Sequence, residues 1–151
     1  MKHLVILILL VIVTGCAKAP KQFGDFTTNN AVNNSYIANF LAKDVINQID
    51  ILYPSAKTTL YFKHETADKF GTALVKNMRE FGYGVTEFST PEDDLENTTT
   101  PSGLSVAYII DHLSDKQIII TIFVNQKPIS RLYDTSQENV RPLGEWAYLA
   151  S

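Results

Sequence analysis

The hydrophobic pattern changes character along the 151-residue chain, and each change predicts an element. Leu4 to Val13 is an unbroken apolar run, about half the roughly 20 residues that a bilayer-spanning helix needs. Ala17 to Asn34 is rich in Asn, Thr, Lys and Gly and keeps no hydrophobic period, which predicts a flexible tether. From Ser35, read as an N-cap, Ile37, Phe40, Leu41, Val45, Ile49 and Leu52 recur at three- and four-residue spacing and predict an amphipathic helix. Tyr53-Pro54 ends it, because proline disfavours helical geometry in the residue before it. Thr58 to Lys63 alternates and predicts a short strand. A second helix is expected from the N-cap Thr66, with Asp68 in its first turn and Phe70, Leu74, Met78 and Phe81 along one face. Gly82 suits the left-handed position that closes it.

The rest of the chain is strand-like. Val85 to Phe88 predicts a strand, and Ser89 to Gly103, with Glu92-Asp93-Asp94 at its centre, predicts a mobile surface loop. Leu104 to Ile110, Ile118 to Val124 and Ile129 to Tyr133 predict a three-stranded meander, with turns at Ser114-Asp115 and Asn125 to Pro128. Ile118-Ile119-Ile120 is apolar on both sides, which predicts a central strand covered on each face. Gly144 to Leu149, with Trp146, is expected as a short terminal strand or a cap. Together these predict an α+β fold, two helices on a small mixed or antiparallel sheet in the order αβαβββ.

The first sixteen residues read as a processing signal. Met1-Lys2-His3 is a short basic start, and the apolar run ends in Val13-Thr14-Gly15-Cys16. That ending resembles the lipobox of bacterial lipoproteins: a branched residue, two small ones, then the cysteine that takes the lipid. Cys16 is the only cysteine, so one chain can build no disulfide framework or multi-cysteine metal site. An unpaired thiol after an ordinary export signal would be reactive in an oxidising compartment, which favours lipidation. Two or three acyl chains on one residue suffice for stable anchoring. Ala17 departs from the aspartate-marked pattern of lipoproteins kept at the inner membrane, so the expected site is the periplasmic face of the outer membrane. The expected organisation is a signal at 1–15, a lipidated tether at 16–34 reaching some tens of Å at roughly 3.3 Å per residue, and a single domain at 35–151.

Charge and candidate chemistry narrow the function. Without Lys2 the 13 basic residues become 12 against 16 acidic, so the formal charge moves from -3 to -4. A mildly acidic domain with no basic stripe is a poor nucleic-acid binder. An apolar fraction of 45% supplies a real core and argues against disorder. His64-Glu65-Thr66-Ala67-Asp68 begins like a zinc-protease helix, but Asp68 stands where the second histidine belongs; read structurally, the pair charges a helix start. Ser105, Asp111 and His112 invite a hydrolytic reading, yet adjacent strand residues point to opposite faces and no nucleophile elbow is present. The acidic loop lacks the alternation of a calcium loop, and no glycine-rich phosphate loop occurs. No enzyme activity, cofactor, metal or small-molecule substrate is expected.

Several local patterns occur together in order: Ile51-Leu52-Tyr53-Pro54-Ser55-Ala56-Lys57-Thr58, Phe70-Gly71-Thr72-Ala73-Leu74-Val75, Phe81-Gly82-Tyr83-Gly84-Val85, Ser130-Arg131-Leu132-Tyr133 and Gly144-Glu145-Trp146-Ala147. With the lipobox they resemble TrbH-type conjugal transfer lipoproteins, components of the mating-pair-formation machinery of type IV secretion systems, over nearly the whole chain. The resemblance implies a non-enzymatic role in the outer-membrane part of a conjugation channel, with VirB-type channel-forming subunits as partners. Some lipoproteins of such channels form a disulfide with a partner through a second cysteine, which this chain lacks. A different reading of the same layout is a lipoprotein that regulates a cell-wall synthase or acts as a general envelope binding module; the short tether disfavours a reach across the cell wall. Candidate partner-binding residues are Phe23 and Phe26 in the tether and Tyr36 on the first helical turn, with packing the more ordinary role for Tyr36. Arg131, on a predicted strand, could pair with an acidic partner, with a solvated strand face the more ordinary role.

Overall fold

A computed structural model describes residues 32–89, 102–136 and 139–148. Among these, α1 (Ser35–Leu52) leads through a short 3-10 turn (Ser55–Lys57) to β1 (Thr59–Phe62), α2 (Lys69–Phe81) and β2 (Gly84–Thr86). Then come β3 (Leu104–Ser114), β4 (Gln117–Val124), β5 (Lys127–Asp134) and β6 (Arg141–Tyr148). The strands form one mixed sheet in the order β2-β1-β3-β4-β5-β6. β1 pairs in parallel with β2 and β3, and every later pairing is antiparallel. The α+β class stands as expected. The order is longer than αβαβββ: the strand expected at Val85 to Phe88 is the short edge strand β2, and the terminal segment is a full strand, β6, of eight residues that begins before Gly144.

Local signals explain both helices, although each cap sits off its expected residue. Asn34, not Ser35, caps α1, its side chain accepting the Tyr36 N–H. Asp68, not Thr66, caps α2 by accepting the Gly71 N–H at 2.9 Å. Thr66 is engaged elsewhere: its hydroxyl donates to Glu87 and its carbonyl accepts the Thr72 hydroxyl. Gly82 closes α2 at φ 102°, a conformation that favours glycine. Contacts between Asn33 and Lys69, Asn39 and Asn77, and Asp50 and Tyr83 show the helices running side by side in the same direction.

Both helices cover one face of the sheet. Leu41, Val45, Ile46 and Ile49 of α1 and Phe70, Leu74 and Met78 of α2 meet Leu60, Phe62, Val106, Ile118, Ile120, Ile122 and Tyr133 in one core. Val32, just ahead of α1, joins it. β4 is central as expected, but only alternate residues are buried. Ile119 lies on the other face, paired with Leu132 and half-buried, and among the described residues both helices occupy a single layer on the opposite face. Phe40, Leu52 and Phe81, expected on buried helix faces, are 38%, 40% and 46% exposed. The α1 stripe is narrower than its apolar composition suggested.

The hairpin between β4 and β5 turns through Asn125 and Gln126, both at positive φ (49° and 68°), the left-handed geometry that matches strand twist. Between β5 and β6 the pairing skips: Ser130 opposes Ala147 and Leu132 opposes Leu143, so β6 carries two extra residues there. Beyond this bulge, hydrogen bonds from Ser136 and Arg141 hold the pKa of the half-buried Asp134 carboxyl down to about 2.

Candidate interaction surface

The polar side chains between helices and sheet form three clasps. In the first, Asp44 of α1 accepts from Arg131 at 3.0 and 3.1 Å and from the Tyr133 hydroxyl at 2.7 Å. Arg131 also donates from Nε and Nη2 to the Gly144 carbonyl, filling the β6 bulge, and its guanidinium lies 5.6 Å from the centre of the Trp146 ring. Burial, with the Asp44 carboxylate beside it, pushes the Tyr133 hydroxyl far above its ordinary value, so it stays a donor. Arg131 is therefore no solvated strand residue: Nη1 reaches both Asp44 oxygens while Nε and Nη2 hold the Gly144 carbonyl, so one guanidinium joins α1, β5 and β6.

The second clasp closes the start of α2. The Tyr108 hydroxyl donates to the Asp68 carboxylate that also caps the helix. Gly71 allows that approach, since a Cβ there would overlap the Tyr108 hydroxyl. Tyr108 donates its backbone N–H to His64 Nε2 at 3.2 Å, while Nδ1 faces the Glu65 carbonyl at 2.8 Å. An imidazole nitrogen thus takes the place of a strand acceptor where the β1–β3 ladder ends. Burial pulls the His64 pKa below its ordinary value, against the Glu65 carbonyl and the Asp68 charge. In the third clasp, the Tyr83 hydroxyl donates to the Tyr53 carbonyl at 2.8 Å and reaches Asp50, whose carboxylate also accepts the Ser55 N–H.

The residues of the zinc-like and hydrolase-like patterns are placed as follows. Asp68 is committed to Gly71 and Tyr108, and no group of three His, Cys, Asp or Glu suited to a metal occurs among the described residues. Ser105 is buried near the start of β3, while His112 lies seven residues further along the same strand, about 23 Å away at strand rise. Asp111 opposes Ile119 and His112 opposes Ile118, so the two carry their side chains to opposite faces.

What remains available is surface. Within α1 the exposed positions are Ser35, Tyr36, Phe40, Lys43, Asn47, Ile51 and Leu52. Tyr36, Phe40, Lys43, Asn47 and Ile51 follow one ridge at helical spacing. Tyr36 is 68% and Ile51 74% exposed, so Tyr36 does not take the packing role expected of it. Both carboxylates of α1, Asp44 and Asp50, turn inward to the clasps, which leaves the ridge without an acidic group. Sequence reasoning missed Phe40 and Ile51; an apolar residue in an apolar helix gives no sign of which way it faces. Phe23, Phe26 and Cys16 lie outside the described residues. Among the described residues no helix is long and apolar enough to cross a membrane.

The family model of conjugal transfer protein TrbH matches residues 20–150. The chain belongs to the TrbH family. Its role is therefore in conjugal transfer. The matched range, residues 20–150, contains every residue of the three clasps. No curated protein and no solved structure matches this TrbH chain.

Proposed function

We propose that this TrbH protein is a lipid-anchored, non-enzymatic component of the outer-membrane part of a conjugative type IV secretion channel. Lipid on Cys16 holds it at the periplasmic face of the outer membrane, and it docks on VirB-type channel-forming subunits. The observation that carries this reading is the TrbH match over residues 20–150. Two others support it. The N-terminal apolar run ends in Val13-Thr14-Gly15-Cys16, and the ionisable side chains between helices and sheet form structural clasps. Anchoring both partners in one membrane raises their local concentration, so a modest interface persists.

The test has two arms. The lipidated protein, purified from mild detergent, should bring down VirB-type subunits identified by mass spectrometry; recovery of cell-wall synthases alone would replace the conjugation reading with the regulatory one. Cys16→Ser should deplete the protein from the membrane fraction and impair DNA transfer. Normal transfer by a soluble, unlipidated form would sink the proposal.

A further inference from the structure

The exposed ridge of α1 is unusual for a helix on a protein surface. Three of its five positions, Tyr36, Phe40 and Ile51, are large and apolar, and the other two are Lys43 and Asn47. The helix has only two carboxylates, Asp44 and Asp50, and both are hydrogen-bonded on its inner side. α2 presents Lys69, Thr72, Lys76, Arg79, Glu80 and Phe81 at its exposed positions, an ordinary solvated face apart from its last residue. The α1 ridge is the outer line of a single helix and itself offers no pocket to a partner's anchor residue. The groove beside it is lined by Lys43, Asn47, Asn77 and Glu80 besides Ile46 and Phe81, too polar to extend the apolar ridge.

Where the chain enters the domain decides what this ridge meets. Residues 17–31, fifteen in all, separate Cys16 from Val32, which is already packed in the core, so fully extended they keep the domain within about 50 Å of a bilayer holding Cys16. That confinement gives an effective concentration on the order of millimolar, enough for a weak surface to engage. Tyr36 and Phe40 occupy the first two turns, at the end of α1 nearest the tether. A ridge with aromatic residues, a lysine whose stem can lie along apolar surface, and no carboxylate has the chemistry of a helix lying in the headgroup region of anionic lipid.

We infer that the Tyr36–Phe40–Lys43–Asn47–Ile51 ridge of α1 rests on the phospholipid surface and sets which side of the domain faces the membrane. This deepens the proposed function and rests on its lipid-anchor reading. The free face of the sheet, with Ile109, Ile119 and Leu132, is then turned away from the bilayer toward the periplasm, because the helices cover the opposite face.

The test is flotation with vesicles of phosphatidylethanolamine and phosphatidylglycerol in equal parts, at accessible lipid on the order of millimolar to match what the tether supplies. The mature chain, residues 16–151 carrying Cys16→Ser, is made without the export signal so that no lipid is attached. It should float with the vesicles, and the combined change Phe40→Ser and Ile51→Ser should lower its partition about tenfold. Leu113→Ser, which removes an apolar side chain 59% exposed at the β3–β4 hairpin, should leave partition unchanged. Unaltered thermal melting of both variants shows that each remains folded. Absence of flotation, equal flotation of the ridge variant, or an equal loss with Leu113→Ser would overturn the inference. So would a ridge variant that floats normally but no longer co-purifies with channel subunits, which would make the ridge a protein interface. Mass analysis of the cell-derived protein separates the two readings: an unmodified Cys16 with normal ridge-dependent flotation defeats the anchor and not the ridge.

Discussion

The two helices share a layer, a direction and a core, yet their outer faces differ. On α2 the apolar residues Phe70, Leu74, Val75 and Met78 are buried and the exposed side is largely charged. On α1 the buried set is similar, but the exposed side carries Tyr36, Phe40 and Ile51 while Asp44 and Asp50 point inward. α2 follows from minimising exposed apolar surface alone. The inverted arrangement of α1 needs the clasps, since a carboxylate is held at the edge of a core only where donors such as Arg131, Tyr133 and Tyr83 meet it.

The contrast can be broken most forcefully through adjacent residues of α1. Leu41→Ala, at a fully buried site, should cost about 3–4 kcal/mol in urea unfolding. Phe40→Ser next to it should cost far less; equal losses would mean that Phe40 is core. Asp44→Ala comes next at about 2–3 kcal/mol, because Arg131 and the Tyr133 hydroxyl lose their shared acceptor. The exposed Lys76–Glu80 pair of α2, 3.8 Å apart, is the control: Glu80→Ala should change stability by under about 0.5 kcal/mol. Gly71→Ala should cost about 2 kcal/mol by displacing the Tyr108 hydroxyl from Asp68, and a stable variant would show that the second clasp is dispensable.

A smaller effect concerns pH. His64 has a folded pKa below the ordinary 6.5, so the unfolded chain takes up the proton first. Its contribution is complete above about pH 6.5 and declines as pH falls from there toward the folded value. Unfolding midpoints across that window should fall on the acid side, and His64→Gln should flatten this part of the profile; an unchanged slope would exclude His64 as its source. Smallest of all, Ile51→Ser should alter stability by no more than about 0.5 kcal/mol, because Ile51 is 74% exposed. Any functional loss in that variant would then report on the surface and not on the fold.

Much of the fold was legible because its signals are local. The Tyr53-Pro54 stop, the Gly82 closure, the β-branched run of β4 and the turn at Asn125 each depend on a few neighbouring residues. The caps slipped by one or two positions because Ser35 competes with Asn34, and Thr66 with Asp68, for the same backbone donors. The candidate site was legible only at Tyr36. Arg131 was read as a solvated strand residue because its partners, Asp44 and Gly144, lie 87 and 13 residues away.

The sequence by itself determined the element types, the α+β class and the resemblance to TrbH, since periodicity, caps and turn residues act within a few positions of one another. Only the tertiary structure decided which apolar residues of α1 face outward, that both helices lie on the same face of the sheet, and that three tyrosines bind three aspartates distant in the chain. Those outcomes depend on which side chains meet from distant parts of the chain. A helical stripe wide enough to be buried in more than one rotation leaves that choice to its partners.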